Sequence, residues 1–167
     1  DDGSVTAALE NAEAAVNCVG TFDRLGKNNF KADQEDGAAR IARLSATNGV
    51  QSLVHISSLA SASLSESEYA QSKRAGEAAV LSHMPRAYIF RPSVVFGPED
   101  QFFNRFASMA QMGPVLPFAG AATRFQPVYV DDIAQAVEIA LTRETAAGTY
   151  ELGGPEIIDF AGLMTRM

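Results

Sequence analysis

An α/β fold, a parallel sheet with helices on both faces, is what this sequence predicts, and three observations predict it. Short apolar runs alternate with helical stretches along most of the chain, the pattern of consecutive βαβ units. The runs "AAVNCV", "SLVHIS" and "AYIFR" are nearly continuous in apolar residues, as strands covered on both faces require. Glycine, serine or a Pro/Gly loop follows each run, which closes a strand and opens a connection.

The elements follow in order. "SVTAALENA" reads as a helix, with Ser4 as its candidate cap. "AAVNCVG" reads as a buried strand. A helix runs from about Phe30 and stops at Asn48-Gly49. "SLVHISSLAS" is a strand running into a serine-rich loop, and "SESEYAQSKRAGEAAVLSHM" is a long helix stopped before Pro85. "AYIFRPSVVFGPED" is a strand followed by a Pro/Gly loop. "FFNRFASMAQM" is helical and ends at Gly113-Pro114, while "PVLPFAG" and "RFQPVYV" read as short extended pieces. "DDIAQAVEIALTRE" is an amphipathic helix whose two leading aspartates suit the helix dipole. "GTYELGG" is a strand, and Phe160 opens a last helix.

Composition bounds the functions. Of 167 residues, 47% are hydrophobic and 20% charged, and the net charge is −7. That sign excludes general nucleic-acid binding. Cys18 is the sole cysteine, so an internal disulfide and a cysteine-based zinc site are excluded, and no metal site is expected. No run reaches the roughly 18 apolar residues of a membrane span. The chain opens on Asp1 almost inside one helical pattern and stops at Met167 inside another. It reads as a piece of a longer protein.

Chemistry in such a sheet gathers beyond the carboxyl ends of the strands. Asn17, Cys18, Val19 and Gly20 follow the first strand, Ser57 and Ser58 the second, and Pro92, Ser93 and Val94 the third. The helix holding "EYAQSK" starts just after the serine loop. Its Tyr69 and Lys73 stand four apart, on one helix face. Y-x-x-x-K arises often by chance on a solvated helix. Here serine, tyrosine and lysine would converge on one rim. A free tyrosine ionises near pH ~10, and a neighbouring ammonium favours the phenolate. The trio suits proton transfer to or from a substrate oxygen during hydride exchange with a nicotinamide.

Four stretches in this order carry a family resemblance: "VNCVG" (16–20), "LVHISSLAS" with "YAQSK" (53–61 and 69–73), "IFRPSVVFGPED" (89–100) and "FQPVYVDDIAQAV" (125–137). Together they resemble an extended or atypical short-chain dehydrogenase/reductase of the NAD-dependent epimerase/dehydratase family. "FFNRFA" and "TRFQPVYVDD" make the chain most similar to the subgroup around the nucleotide-binding accessory subunit of respiratory complex I. The resemblance implies a Rossmann-like sheet, with Tyr69 as acid/base, Lys73 as its activator and ribose ligand, and Ser58 as the third catalytic residue, Ser57 being the alternative register. It implies that Asn17, Val19, Gly20, Ser57, Tyr69, Lys73, Pro92, Ser93 and Val94 line an NAD or NADP cofactor. Gln34 stands where relatives often carry Asn or His. The expected function is an NAD(P)-dependent oxidoreductase or epimerase. The alternative is a non-catalytic NAD(P)H-binding accessory or assembly subunit of complex I, or a protein of quinone metabolism. Expected partners are the dinucleotide, a small-molecule substrate of unknown identity, and for the alternative complex I or the inner-membrane surface. The corresponding locations are the bacterial cytoplasm or the mitochondrial matrix.

One departure qualifies the resemblance. Family members open with a G-x-x-G-x-x-G turn that holds the pyrophosphate. No stretch of this chain matches it, and Gly153-Gly154 lacks the spacing. The chain is therefore expected to hold a truncated fold: residues 1–97 as the C-terminal half of the dinucleotide-binding sheet, and 98–167 as a substrate-side region with returning elements. Its first strand becomes a sheet edge, and the chain alone binds NAD(P) poorly. Among other residues, His55 reads as a strand or core residue and His83 as a helix-end partner of the dipole. Cys18 reads as a buried packing residue, and Asp131-Asp132 as a helix start. Phe102, Phe103 and Phe106 read as core or pocket wall, and Arg124 as an anion ligand or a surface ion pair.

Overall fold

The computed structural model describes residues 1–63, 66–110, 120–143 and 145–166. Its main sheet has four strands, β1 (Ala14–Asn17), β2 (Ser52–Ile56), β3 (Tyr88–Pro92) and β7 (Thr149–Leu152), in the order β1-β2-β3-β7. β1 pairs parallel with β2 from Ala14↔Ser52 to Asn17↔His55, and β2 parallel with β3 from Val54↔Tyr88 to Ile56↔Phe90. The Ile89 and Ser93 amides donate to the Gly148 and Leu152 carbonyls, so β3 and β7 also advance together. The parallel α/β sheet read from the sequence is therefore present, and β1 is its edge.

The chain divides into two compact units. The first comprises 1–91 and 135–151. It contains α1 (Asp2–Ala8), a π-helical segment (Phe30–Asp36), α2 (Gly37–Thr47) and α3 (Glu68–His83). Its core joins Ala38 and Ala42 of α2, Val80 of α3, and Leu53, Ala87 and Ile89 on or beside the strands. A smaller cluster of Leu9, Leu44 and Val50 seats α1. Small residues on the helix faces, Ala38 and Ala42 among them, let the helices approach the apolar strands closely.

The second unit comprises 92–134 and 152–167. It pairs β4 (Val95–Phe96) in parallel with β6 (Val128–Tyr129), and β5 (Arg124–Phe125) antiparallel with β8 (Ile158–Asp159). α4 (Phe103–Ala110) and α6 (Phe160–Arg166) belong to it, and α5 (Val130–Thr142) begins in it. Phe102, Phe106, Phe125 and Phe160 pack with ring centroids 5.1 to 6.2 Å apart. Edge-on and tilted pairs of this kind add to simple area burial.

Several local expectations need correction. The residue that caps α1 is Asp1, whose carboxylate accepts the Ser4 amide at 2.9 Å; Ser4 lies inside the helix. The helix from Phe30 begins as a π-helix, in which Gly37 N–H reaches the Ala32 carbonyl five residues back. β1 stops at Asn17, so Cys18 falls in the following loop and is exposed rather than buried. By contrast, Asp131 and Asp132 do lie at a helix start, in the first turn of α5, which begins at Val130. The expected piece "PVLPFAG" and the stop at Gly113-Pro114 lie outside the described residues.

Candidate functional site

α3 sets the geometry of the predicted trio. Ser67 caps it by accepting the Ala70 amide at 3.1 Å, which fixes where its first turn begins. Tyr69 then stands one turn before Lys73. The Tyr69 ring is half-buried, stacked on Phe22 (centroids 5.1 Å, 17° between planes) and edge-on to Phe30 (5.9 Å). The Lys73 ammonium lies 6.0 Å from the Tyr69 ring centroid. Lys73 is buried, and a Cβ added to Gly20 would meet its Nζ at 3.3 Å. The glycine after β1 therefore leaves space beside that ammonium.

The serine register separates the two candidates. Ser58 is near enough to the Tyr69 phenol to lower its pKa. Its Oγ also accepts the Ala60 amide at 3.2 Å, which caps a 3-10 turn over Leu59–Ala62. Ser57 is buried and donates instead to Glu77 Oε1 at 2.5 Å.

Electrostatics around the trio follow from burial. Burial pushes the Tyr69 phenol above its ordinary value, and the nearby Ser58 hydroxyl opposes that. Burial pushes the Lys73 ammonium down, and the Glu77 carboxylate opposes that. Tyr69 is therefore protonated at neutral pH.

The other predicted residues lie as follows. Asn17 is buried at the end of β1, whereas Val19 and Gly20 are exposed beyond it. Pro92 ends β3, Ser93 N–H donates to Leu152 O at 2.8 Å, and Val94 O accepts from Val128 N at 3.0 Å. These three belong to the second unit. Gln34 is buried in the π-helical segment. Its Nε2 donates to Thr21 O at 2.5 Å, and its Oε1 accepts from Ser72 Oγ at 3.1 Å. Among the described residues no cluster of potential metal ligands occurs, and no helix is long and apolar enough to cross a membrane.

Two networks escaped the sequence reading. One is Glu77 with Arg91, Ser57 and Ser61. A glutamate within the alanine-rich "AGEAAV", one turn after Lys73, was the available signal. The other joins Asn17 to His55, buried in β2 at 2% exposure. Asn17 Oδ1 accepts the Val19 amide at 3.0 Å, which turns its amide nitrogen toward His55 Nδ1, also 3.0 Å away. Nδ1 is then the acceptor, and Nε2 carries the ring proton of the neutral form.

This histidine makes stability depend on pH. Burial, helped by the Lys73 charge and opposed by Glu77, lowers its pKa to about 4. The unfolded chain, near 6.5, takes up the proton first. Its contribution is complete above about pH 6.5 and is lost as pH falls toward 4, a difference of about 3 kcal/mol. Denaturant unfolding at a series of pH values is expected to show a steeper acid loss in the natural protein than in His55→Gln. Parallel acid limbs would refute this.

Comparison with known proteins adds relatives to this geometry. Residues 62–164 match the family model described as the RmlD substrate binding domain. The chain is 32% identical over 161 residues to "NADH dehydrogenase [ubiquinone] 1 alpha subcomplex subunit 9, mitochondrial" of Arabidopsis thaliana, covering 94% of this chain and 40% of that protein. It is 33% identical over 141 residues to a ceramide reductase of Caulobacter vibrioides, covering 84% and 44%. Among solved structures, dTDP-glucose 4,6-dehydratase from Streptomyces venezuelae with NAD bound superposes at TM-score 0.84 and 19% identity, over 99% of this chain and 59% of that one. A UDP-glucuronic acid 4-epimerase from Bacillus cereus with NAD superposes at TM-score 0.80 and 18% identity, over 97% and 61%. At such identities the structures speak for the fold. The chain spans less than half the length of the curated relatives it matches.

Proposed function

The chain belongs to the RmlD substrate binding domain family, on the fold of the NAD-dependent epimerases and dehydratases, and from that premise we propose that its full-length protein is an NAD(P)-dependent oxidoreductase or epimerase of the short-chain dehydrogenase type. The observation that carries the reading is the convergence of three groups: the Lys73 ammonium lies 6.0 Å from the Tyr69 ring, and the Ser58 hydroxyl is near enough to the phenol to lower its pKa. A bound nicotinamide supplies or receives the hydride. The residues present fit the ribose and nicotinamide end of that cofactor: a buried ammonium, a phenol, and a glycine that leaves space beside the ammonium. Lys73 would hold the ribose and keep positive charge near Tyr69. Ser58 would orient the substrate oxygen. Tyr69 would give its proton to that oxygen in reduction and take it back in oxidation. Asn17, Val19, Gly20 and Ser57, all of the first unit, would line the cofactor.

A second reading is favoured by the named relatives. Those from Arabidopsis thaliana, Neurospora crassa and Mus musculus, 32–34% identical, are mitochondrial NADH dehydrogenase or NADH-ubiquinone oxidoreductase subunits. On this reading the full-length protein holds a dinucleotide without turnover, as an accessory subunit of complex I. Hydride transfer separates the two. Full-length protein is given NADH or NADPH deuterated at C4, together with a panel of carbonyl compounds. Deuterium recovered in an alcohol product is expected. Cofactor that binds tightly and is returned with its label intact, from a protein the complex needs for assembly, supports the accessory role.

A further inference from the structure

We propose that Glu77 is a positioning residue that holds the serine turn so that the Ser58 hydroxyl faces the Tyr69 phenol; this rests on the acid/base reading above. Glu77 stands one turn beyond Lys73 and two beyond Tyr69 on α3 and is 6% exposed. Its Oε1 accepts from Ser57 Oγ and Ser61 Oγ, both at 2.5 Å, and from Arg91 Nε at 3.0 Å. Its Oε2 accepts from Arg91 Nη2 at 2.6 Å. One carboxylate therefore ties a helix, a strand and a loop.

The arrangement is more specific than a buried ion pair. A buried carboxylate left alone is strongly unfavourable, but the Arg91 guanidinium alone would satisfy most of that need. The two serine hydroxyls are additional, and they come from the two sides of Ser58. Ser57 is further fixed through its amide, which donates to Phe90 O at 2.6 Å. Ser61 Oγ also lies 2.7 Å from the Ser58 carbonyl oxygen, and the Ser61 amide donates to the same carbonyl at 3.0 Å. Residues 57 and 61 are thus pinned, and the short turn between them leaves Ser58 little freedom. Without the pins, Ser58 would drift from the phenol, and displacements of about 1 Å at a reacting group are enough to cost roughly 100-fold.

The test uses the full-length protein with tyrosine labelled at the ring carbon bearing oxygen. The Tyr69 resonance is identified by its loss in Tyr69→Phe, and its shift at neutral pH reports hydrogen bonding of the phenol. Ser58→Ala sets the displacement for a lost bond. Glu77→Ala is expected to give a comparable displacement, with no further change when Ser58→Ala is added. The Ser57→Ala, Ser61→Ala double variant keeps the Glu77–Arg91 pair, so it folds even where Glu77→Ala does not, and it is expected to give the same displacement. In turnover, Glu77→Ala lowers kcat about 10- to 100-fold with little change in cofactor KM. Glu77→Gln, which keeps an acceptor for both serines, restores most of it. A Tyr69 resonance unmoved in both the Glu77→Ala and the double-serine variants, or unmoved in the double-serine variant alone, overturns the proposal. If the natural protein has no turnover, the acid/base reading fails, while the resonance still decides what Glu77 does.

Discussion

Tyr69→Phe in the full-length protein is expected to lower turnover about 10²–10⁴-fold, the usual worth of a positioned proton donor, while cofactor binding changes little. The replacement is clean because the ring's neighbours do not depend on the hydroxyl. Phenylalanine keeps the stack on Phe22 and the edge contact with Phe30, and it still faces the Lys73 ammonium. What disappears is the acidic proton beside Ser58. Lys73→Met supplies the complementary arm. Methionine is close in length to lysine and adapts to a buried position, and Glu77 keeps Arg91 as its charge partner, so the fold survives. Tyr69 then loses its nearby cation, and the ribose loses a ligand. Turnover falls as for Tyr69→Phe, and cofactor KM rises as well. Steady-state kinetics of the two variants, with thermal melts as the fold control, check both. Undiminished turnover in Tyr69→Phe removes the acid/base role.

Gly76→Ala is expected to destabilise the protein by about 2 kcal/mol, the range of an overpacked core site. Ordinary helix preference points the other way, since alanine in a helix interior gains up to about 1 kcal/mol over glycine. Packing decides the sign. A Cβ at residue 76 would fall inside the carbonyl oxygen of Gln34. That carbonyl cannot withdraw easily, because the Gln34 side chain is held by Thr21 and Ser72 and its backbone is already wound as a π-helix. For a chain of this length the melting temperature should fall by about 4–8 °C. A melting temperature equal to or above that of the natural protein would mean that the two helices part without cost.

The sequence made some of this legible and hid the rest for identifiable reasons. Alternation of apolar runs and helical periods forecast the parallel sheet, because βαβ units leave few other topologies. Tyr69 and Lys73 were readable because their spacing is local to one helix. Asn17 and His55 are 38 residues apart in sequence, and Glu77 lies 20 residues from Ser57. No periodicity encodes such pairs, so only the folded register brings them together. The π-helical start at Phe30 was hidden because its residues also suit an α-helix. Cys18 was misplaced because the apolar run "AAVNCV" continues past the point where β1 stops pairing.

The exposed thiol at that point has a practical consequence. Cys18 is the single cysteine of these 167 residues. It sits one residue past Asn17, on the loop that leads to Gly20 and the Lys73 ammonium. Partial burial raises its pKa, which slows its alkylation at neutral pH. The rate of that single reaction reports on the loop after β1: a molecule that covers this loop slows it, and one bound elsewhere leaves it unchanged.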